Sequence, residues 1–369
     1  MKNKILISLL AITSVLITSC SVFDWFGGKI HDDEIAELEK ETGTPDQRAT
    51  PYDDSLKAFG KMLEAYGIPD LKVQSKPITN ATAEKGLPDD VSKMIATGLN
   101  KIGKQIIYIP YDPTYYVGET TTGGKINRVL PQAVIAGGMT EYDKDLIEKK
   151  RGLKLEGQVS EGDFGSNYDY DGGAGYQSGG NISRLGLDLH ILNYSTQAAV
   201  PGVQASNTIN LRKTGTTASL GFFFQGSGFS FDYSLQKKQG VHYAIRLLVE
   251  LSVLEVLGKY VEVPYWKCIP GAQPNNEMIA RLRDEFDELP TAQKNAYLKE
   301  YLFLSGYPVD RGNTPFTDND AVILEKAMKE KMAASQADLF MNLWLNIPID
   351  QARARLKEAK RKPTPPPAV

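Results

Sequence analysis

The side chains that could carry chemistry in this sequence are few and widely separated. The three histidines, His31, His190 and His242, are too scattered to predict a catalytic triad or a histidine metal site. The stretch Asp169-x-Asp171-Gly172 faintly resembles a calcium loop, but the remaining ligand positions of such a loop are missing. The glycines at 172, 173 and 175 are not followed by a predicted helix, which excludes a dinucleotide loop. We therefore predict that the chain is not an enzyme and takes no metal and no cofactor.

The N-terminus carries a different kind of chemical signal. Lys2 and Lys4 precede a short apolar run over residues 5–17, and the run ends in Ile17-Thr18-Ser19-Cys20. This order resembles the lipobox at which a lipoprotein signal peptide is cleaved, so residues 1–19 are predicted to be a signal peptide and Cys20 to carry diacylglycerol and an N-acyl chain. The alternative is an ordinary secretory signal with an incidental cysteine. Acyl chains add about 0.8 kcal/mol per buried methylene, so a multiply acylated Cys20 would anchor the chain durably.

The residues around Cys20 also predict where the anchor lies. Ser21 stands where aspartate would favour retention in the inner membrane, which favours the outer membrane. Residues 20–52 are polar and predict a lipidated tether to a periplasmic body. The second cysteine, Cys268, lies in an apolar run and is expected to be a packed thiol rather than a nucleophile.

Composition sets the broad class. The 369 residues contain 42 basic and 45 acidic side chains, a net charge of −3, which argues against a nucleic-acid-binding protein. Beyond the leader, no stretch is apolar over the roughly 18 residues that a membrane-spanning helix needs. Two cysteines exclude a disulfide framework. The length predicts two or three domains.

The periodicity predicts an αβ domain over residues 53–270, a helical C-terminal extension over 271–362 and a proline-rich tail over 363–369. Helices are expected over 53–66, 88–101, 241–257, 277–289, 291–304, 318–332, 336–345 and 349–361. Strands are expected over 105–109, 129–136, 181–194 and 205–211.

Two further segments, about 139–180 and 212–238, alternate apolar and polar residues around glycine-rich turns. Such alternation is typical of transmembrane β-hairpins, and it equally suits a soluble sheet with one buried face. The expected lipid-facing residues are Leu220, Phe222, Phe224, Phe229, Phe231 and Tyr233. The expected lumen-facing residues are Glu156, Asp169, Asp171 and Asp232. Because open sheet edges are not tolerated in hydrocarbon and four strands cannot close a barrel, such hairpins require many copies of the chain.

The order of these parts resembles the curli secretion channel (CsgG-like) family over residues 68–258. The resemblance is carried by Cys20, by the strand 133–139 that enters the first hairpin, by residues 182–196, by Asn207-Thr208-Ile209 and by the apolar helix 241–257. It implies an α+β periplasmic domain and an outer-membrane, lipid-anchored ring of about nine copies, each giving four strands to one barrel that exports an unfolded or slender substrate.

The resemblance also implies that a loop forms a constriction in the channel. Here that loop is residues 76–86, with Pro77, Ile78, Thr79, Asn80, Ala81 and Thr82 as the constriction residues. The loop has no aromatic residue, and the helices after Pro270 are largely additional to the family pattern, which puts curli itself in doubt as the cargo.

A second class of function remains open at this point. The chain is alternatively a periplasmic lipoprotein adaptor, without its own pore, in a pilus, flagellar or secretion assembly. Its helical extension would then bind accessory envelope proteins. Residues 297–328 faintly resemble small helical peptidoglycan-binding modules; a helical bundle that mediates contacts around the ring is the alternative.

Overall fold

The computed structural model describes residues 50–113, 129–143, 180–214, 219–226, 229–234, 241–311 and 314–361, without side chains at 180–182, 211–214, 219–226 and 229–234. The described residues from Pro51 onward belong to one compact unit. They form an α+β fold with eight α-helices and a mixed sheet. Cys20, Glu156, Asp169 and Asp171 lie outside the described residues.

The sheet has eight strands and changes from parallel to antiparallel across its width. The strands are β1 (Leu71–Ser75), β2 (Thr79–Asn80), β3 (Ile106–Ile109), β4 (Ala133–Asp143), β5 (Gly180–Asn193), β6 (Ala199–Thr214), β7 (Ser219–Gly226) and β8 (Phe229–Ser234). Their order is β3-β1-β4-β5-β6-β7-β8, with β2 paired to β4 beside the end of β1. Pairings among β1 to β4 are parallel, and those from β4 to β8 are antiparallel.

The helices fall into a group near the sheet and a C-terminal group. They are α1 (Asp53–Ala65), α2 (Ser92–Ile102), α3 (Val241–Tyr260), α4 (Asn276–Glu288), α5 (Thr291–Leu304), α6 (Asp318–Glu330), α7 (Gln336–Leu345) and α8 (Ile349–Arg361). A short 3₁₀ helix, Tyr265–Cys268, links the groups. Within the described chain, none of the helices has the length and apolar character needed to cross a bilayer.

Helix α3 is the centre of the fold. Nearly every side chain from Ala244 to Lys259 is buried, because the helix packs on β5 and β6 on one side and on α1, α2 and the 3₁₀ helix on the other. Its interior carboxylate Glu250 is paired with Lys101 at 2.8 Å, and Lys101 also contacts Asp53 at 2.6 Å. Pairing is what makes a fully buried charge tolerable. The three charged side chains therefore join α1, α2 and α3 at one point.

The predicted C-terminal extension shares this core. Tyr66, which directly follows α1, donates a hydrogen bond to the carbonyl of Trp344 on α7, and the Trp344 indole donates to the carbonyl of Glu262 at 2.9 Å. Arg353 on α8 contacts Glu64 on α1 at 2.7 Å. One continuous cluster of buried apolar residues runs from Tyr52 to Leu356. The extension is thus packed against the αβ part rather than tethered to it.

The start of α6 is fixed by a buried ion pair. Thr317 and Asp320 form a capping box, and Lys299, nearly inaccessible on α5, contacts the Asp320 carboxylate at 3.1 Å. Burial raises the pKa of Asp320, but hydrogen bonds from Thr317 and Lys299 outweigh burial and hold the pKa below its ordinary value of 3.8.

We expect Asp320→Asn to lower the free energy of unfolding by about 1–3 kcal/mol at neutral pH, since Lys299 loses its buried partner. A depressed folded-state pKa contributes stability above the unfolded value, and this contribution is lost as pH falls through the folded value. The difference between wild type and variant should therefore shrink below about pH 4 in denaturant titrations. Asp318→Asn, at an exposed position in the same turn, is the control. A difference that stays constant down to pH 2 would contradict this assignment.

Most predicted elements are confirmed, and the differences have physical causes. The helices 291–304, 336–345 and 349–361 have the predicted ends. The helix expected from residue 88 begins at Ser92, because the Asp90 carboxylate accepts hydrogen bonds from the Ser92 and Ile78 amides and so belongs to the preceding loop. The strand expected over 129–136 begins at Ala133 and runs on to Asp143. Strands β1 and β2 were not predicted.

Candidate functional site

The candidate site is the region where the sheet extends past its helical cover. It comprises the loop 76–86 beside β4 and the antiparallel strands β5 to β8. Strand register divides this sheet into two faces, since directly paired residues share a face. We call the face that contacts α3 the helix face and the opposite one the polar face.

The loop 76–86 is held tightly against β4. Thr79 and Asn80 pair in parallel with Gly138 and Met139, and the Ala81 amide donates to the Met139 carbonyl at 2.9 Å. The Asn80 side chain accepts from the Thr82 amide at 2.9 Å and donates to the Glu84 carbonyl at 2.8 Å. Such asparagine-centred hydrogen bonds define a tight turn. The loop therefore has a fixed seat at the edge of the sheet.

The predicted constriction residues are not equivalent in this loop. Ile78 is fully buried in the hydrophobic core, so it is a core residue of this fold. Pro77, Thr79 and Ala81 are exposed, and Asn80 and Thr82 are half-buried. The side chains available to line an opening are thus small and uncharged, and those of Asn80 and Thr82 are engaged within the loop.

The predicted lipid-facing residues share one face of the sheet. Phe222 lies opposite Tyr233 and Phe224 lies opposite Phe231 in the β7–β8 register. Phe224 also pairs with Ile209, which is buried and lies two residues along β6 from Asn207, whose side chain contacts α3. The predicted lipid-facing positions of β7 and β8 therefore lie on the helix face, in the part of the sheet beyond β6.

The polar face carries a different chemistry. Asp232, the one predicted lumen residue within the described strands, pairs with Phe223 and so lies on this face. Further from the hairpin, Arg184 contacts Glu141 at 3.6 Å and Asn210 at 3.3 Å. Asp188 accepts hydrogen bonds from the hydroxyl groups of Thr140 and Ser206. Charged and hydroxyl side chains thus run across β4, β5 and β6 on the face of Asp232.

One buried polar network interrupts the helix face. Asn207 on β6 donates to Ser252 at 2.9 Å and to Glu255 at 2.8 Å, both on α3. Glu255 in turn contacts Lys259 at 2.7 Å, and Lys259 donates to the Gln204 carbonyl at 2.7 Å. Because a one-residue slip would move Asn207 to the other face, this network fixes the register of β6 on α3.

Cys268 is one of the residues that line a cleft of about 390 Å³, which is formed by α1, the 3₁₀ helix and the chain from the end of α7 to the start of α8. Burial raises the pKa of its thiol to about 12, and its sulfur lies 3.9 Å from that of Met62. A protonated, buried thiol agrees with the predicted packing role. Among the described residues, no group of three histidine, cysteine or acidic side chains is placed to hold a metal ion.

Sequence reasoning missed the residues that shape the exit of β4. Gly137 and Gly138 lie within β4 and Gly186 lies within β5, and glycine inside a strand pattern indicates a bulge or a close approach of two backbones. The comparisons with known proteins add no further assignment: no protein-family model matches the chain, and no curated protein matches it.

Proposed function

We propose that the chain is an outer-membrane lipoprotein that assembles into an oligomeric secretion channel. The observation that carries the proposal is the register of β7 and β8, which aligns Phe222 with Tyr233 and Phe224 with Phe231 on one face and Asp232 with Phe223 on the other. A barrel wall needs this division between a lipid face and a lumen face. Membrane lipids and a slender or unfolded exported polypeptide are the partners this implies.

Several copies are needed for such a wall. The described strands of one chain form an open sheet, and a sheet in a bilayer must close on itself to satisfy its backbone groups. A homo-oligomeric ring with cyclic symmetry provides closure, and a lipid anchor at Cys20 would hold the copies in one leaflet. We therefore propose a ring, in keeping with the family resemblance.

The loop 76–86 is proposed as the throat of this channel. Its seat on β4 next to the exit of the first hairpin, and its exposed Thr79 and Ala81, support that role. Small, uncharged side chains would give a wider and less selective opening than stacked aromatic rings would.

A second candidate function is favoured by a specific observation. The apolar positions of β7 and β8 continue the face that α3 covers, so a soluble sheet that packs beneath its own helix also accounts for the alternation. The chain would then be a periplasmic lipoprotein adaptor, with helices α4 to α8 available to an envelope partner.

Removing the lipid anchor separates the two functions. Cys20→Ala is expressed with an export signal that does not require lipidation, and Cys268→Ala, which retains Cys20, is the matched control. A channel should remain in the membrane fraction without acyl chains and appear as rings in images of detergent-solubilised particles. Release of Cys20→Ala as a soluble, small species would reject the channel and favour the adaptor.

A further inference from the structure

Strand β4 contains a β-bulge where it leaves the helix-covered sheet. Met139 pairs with Leu187 and Glu141 pairs with Gly186, so Thr140 is the extra residue. The insertion places Thr140 and Glu141 together on the polar face and returns Tyr142 to the core side. Bulges bend a strand and increase its twist, so this one sets the direction in which β4 enters the first hairpin.

Two glycines beside the bulge leave little room for β4 to take a different course. A Cβ atom on Gly137, whose φ is +148°, would lie 1.9 Å from the Asp188 carbonyl oxygen. On Gly186 it would lie 2.9 Å from the Glu141 side chain. Both glycines are therefore required by the close approach of β4 and β5 around the bulge.

The carboxylate of Asp188 connects the bulged residue Thr140 to the neighbouring strand β6. The Thr140 hydroxyl donates to one oxygen of Asp188 at 2.5 Å, and the Ser206 hydroxyl donates to the other at 2.5 Å. Three neighbouring strands, β4, β5 and β6, are thereby joined through one side chain on the polar face. Hydrogen bonds to a charged acceptor are stronger than those between neutral groups.

The bulge is also adjacent to the seat of the loop. Met139, the residue before Thr140, pairs with Asn80 and accepts the Ala81 amide hydrogen bond. A shift of β4 at Thr140 therefore moves the atoms on which the loop 76–86 rests. The bulge and the seat of the loop are therefore adjacent positions of the same strand.

We propose that Asp188 is a positioning residue that holds the Thr140 bulge and, through Met139, sets both the course of β4 over residues 139–143 and the seat of the loop 76–86. Its role in conduction rests on the proposed channel function. Its role in strand geometry does not, and the two are measured separately.

Hydrogen exchange of the full chain, followed by mass spectrometry, tests the geometry. Thr140→Val, which keeps the side-chain shape but removes the donor, and Asp188→Asn are expected to speed exchange about three- to tenfold in peptides covering 76–86 and 133–143. Asp143→Asn, an exposed change three residues further along β4, is the control. Peptides from 291–304 provide an internal reference for global stability. Unchanged exchange at the loop, or an equal rise in the reference peptides, would overturn the proposal.

Single-channel conductance tests the part of the proposal that depends on the channel. It is measured for Thr140→Val and for a further variant, Ala81→Trp. Ala81→Trp is the reporter, since Ala81 is exposed whereas Asn80 is tied into the turn. A conductance change in both Ala81→Trp and Thr140→Val supports the full proposal. If exchange responds but neither variant alters conductance, the positioning role stands and the throat assignment fails. If Ala81→Trp alters conductance but Thr140→Val does not, the role of Asp188 in conduction is rejected.

Discussion

Trp344→Ala is expected to destabilise the αβ part and the C-terminal helices together, by about 3–5 kcal/mol. The indole is almost fully buried, lies 5.9 Å from the ring of Trp266 in an edge-to-face arrangement and donates to the Glu262 carbonyl. The main-chain carbonyl of Trp344 accepts a hydrogen bond from the hydroxyl group of Tyr66, which directly follows α1. Truncation removes packing between α7 and the 3₁₀ helix and leaves the Glu262 carbonyl without its indole donor.

Thermal unfolding measures this effect when two probes are compared. Near-ultraviolet circular dichroism reports packing around the aromatic cluster, and the reactivity of the buried Cys268 thiol reports the junction of α1 with the 3₁₀ helix. Both signals should shift to lower temperature in one transition. Met332→Ala, at a residue that is 91% exposed, is the control. Two separate transitions, with thiol exposure unchanged, would mean that the helical extension is an independent domain.

Local signals explain why the C-terminal helices were predictable. The Thr317–Asp320 capping box and the Ser335 cap leave clear marks in sequence, and helix termini depend on these nearest neighbours. Strand β1 has no such mark. Its Gln74 and Ser75 are buried, and the Gln74 amide donates to the Pro110 carbonyl 36 residues away at 3.2 Å. A buried polar residue whose hydrogen-bond partner lies far along the chain looks like a surface residue in sequence.

The candidate site shows a second limit of prediction from sequence. Alternation predicts that Phe222 and Tyr233 share a face and that Asp232 does not, and the β7–β8 register agrees. Alternation does not specify what covers that face, because a helix and a lipid bilayer both exclude water from apolar side chains. The loop 76–86 shows the same limit, since only the paired strands reveal that Ile78 lies in the core while Thr79 faces outward.

Phe231→Arg is expected to prevent membrane insertion and ring assembly. An arginine on the lipid face of the proposed barrel costs about 2–4 kcal/mol near the bilayer midplane, and every copy in the proposed ring would carry it. Phe223→Arg is the matched control, because it makes the same change on the adjacent strand but at the position paired with Asp232 on the polar face. Arginine there lies beside a carboxylate, so Phe223→Arg should assemble normally.

Membrane partition, ring images and thermal unfolding together distinguish lipid from helix as the cover of this face. In a channel, Phe231→Arg remains monomeric or unassembled while the unfolding temperature of the helical body, which shares none of these positions, stays that of the wild type. In an adaptor, the same arginine faces α3 and lowers the unfolding temperature without changing membrane partition, which depends only on the acyl anchor. Normal insertion and assembly of Phe231→Arg would reject the assignment of β7 and β8 to the bilayer, because a ring of arginines facing lipid would destabilise the barrel in every copy.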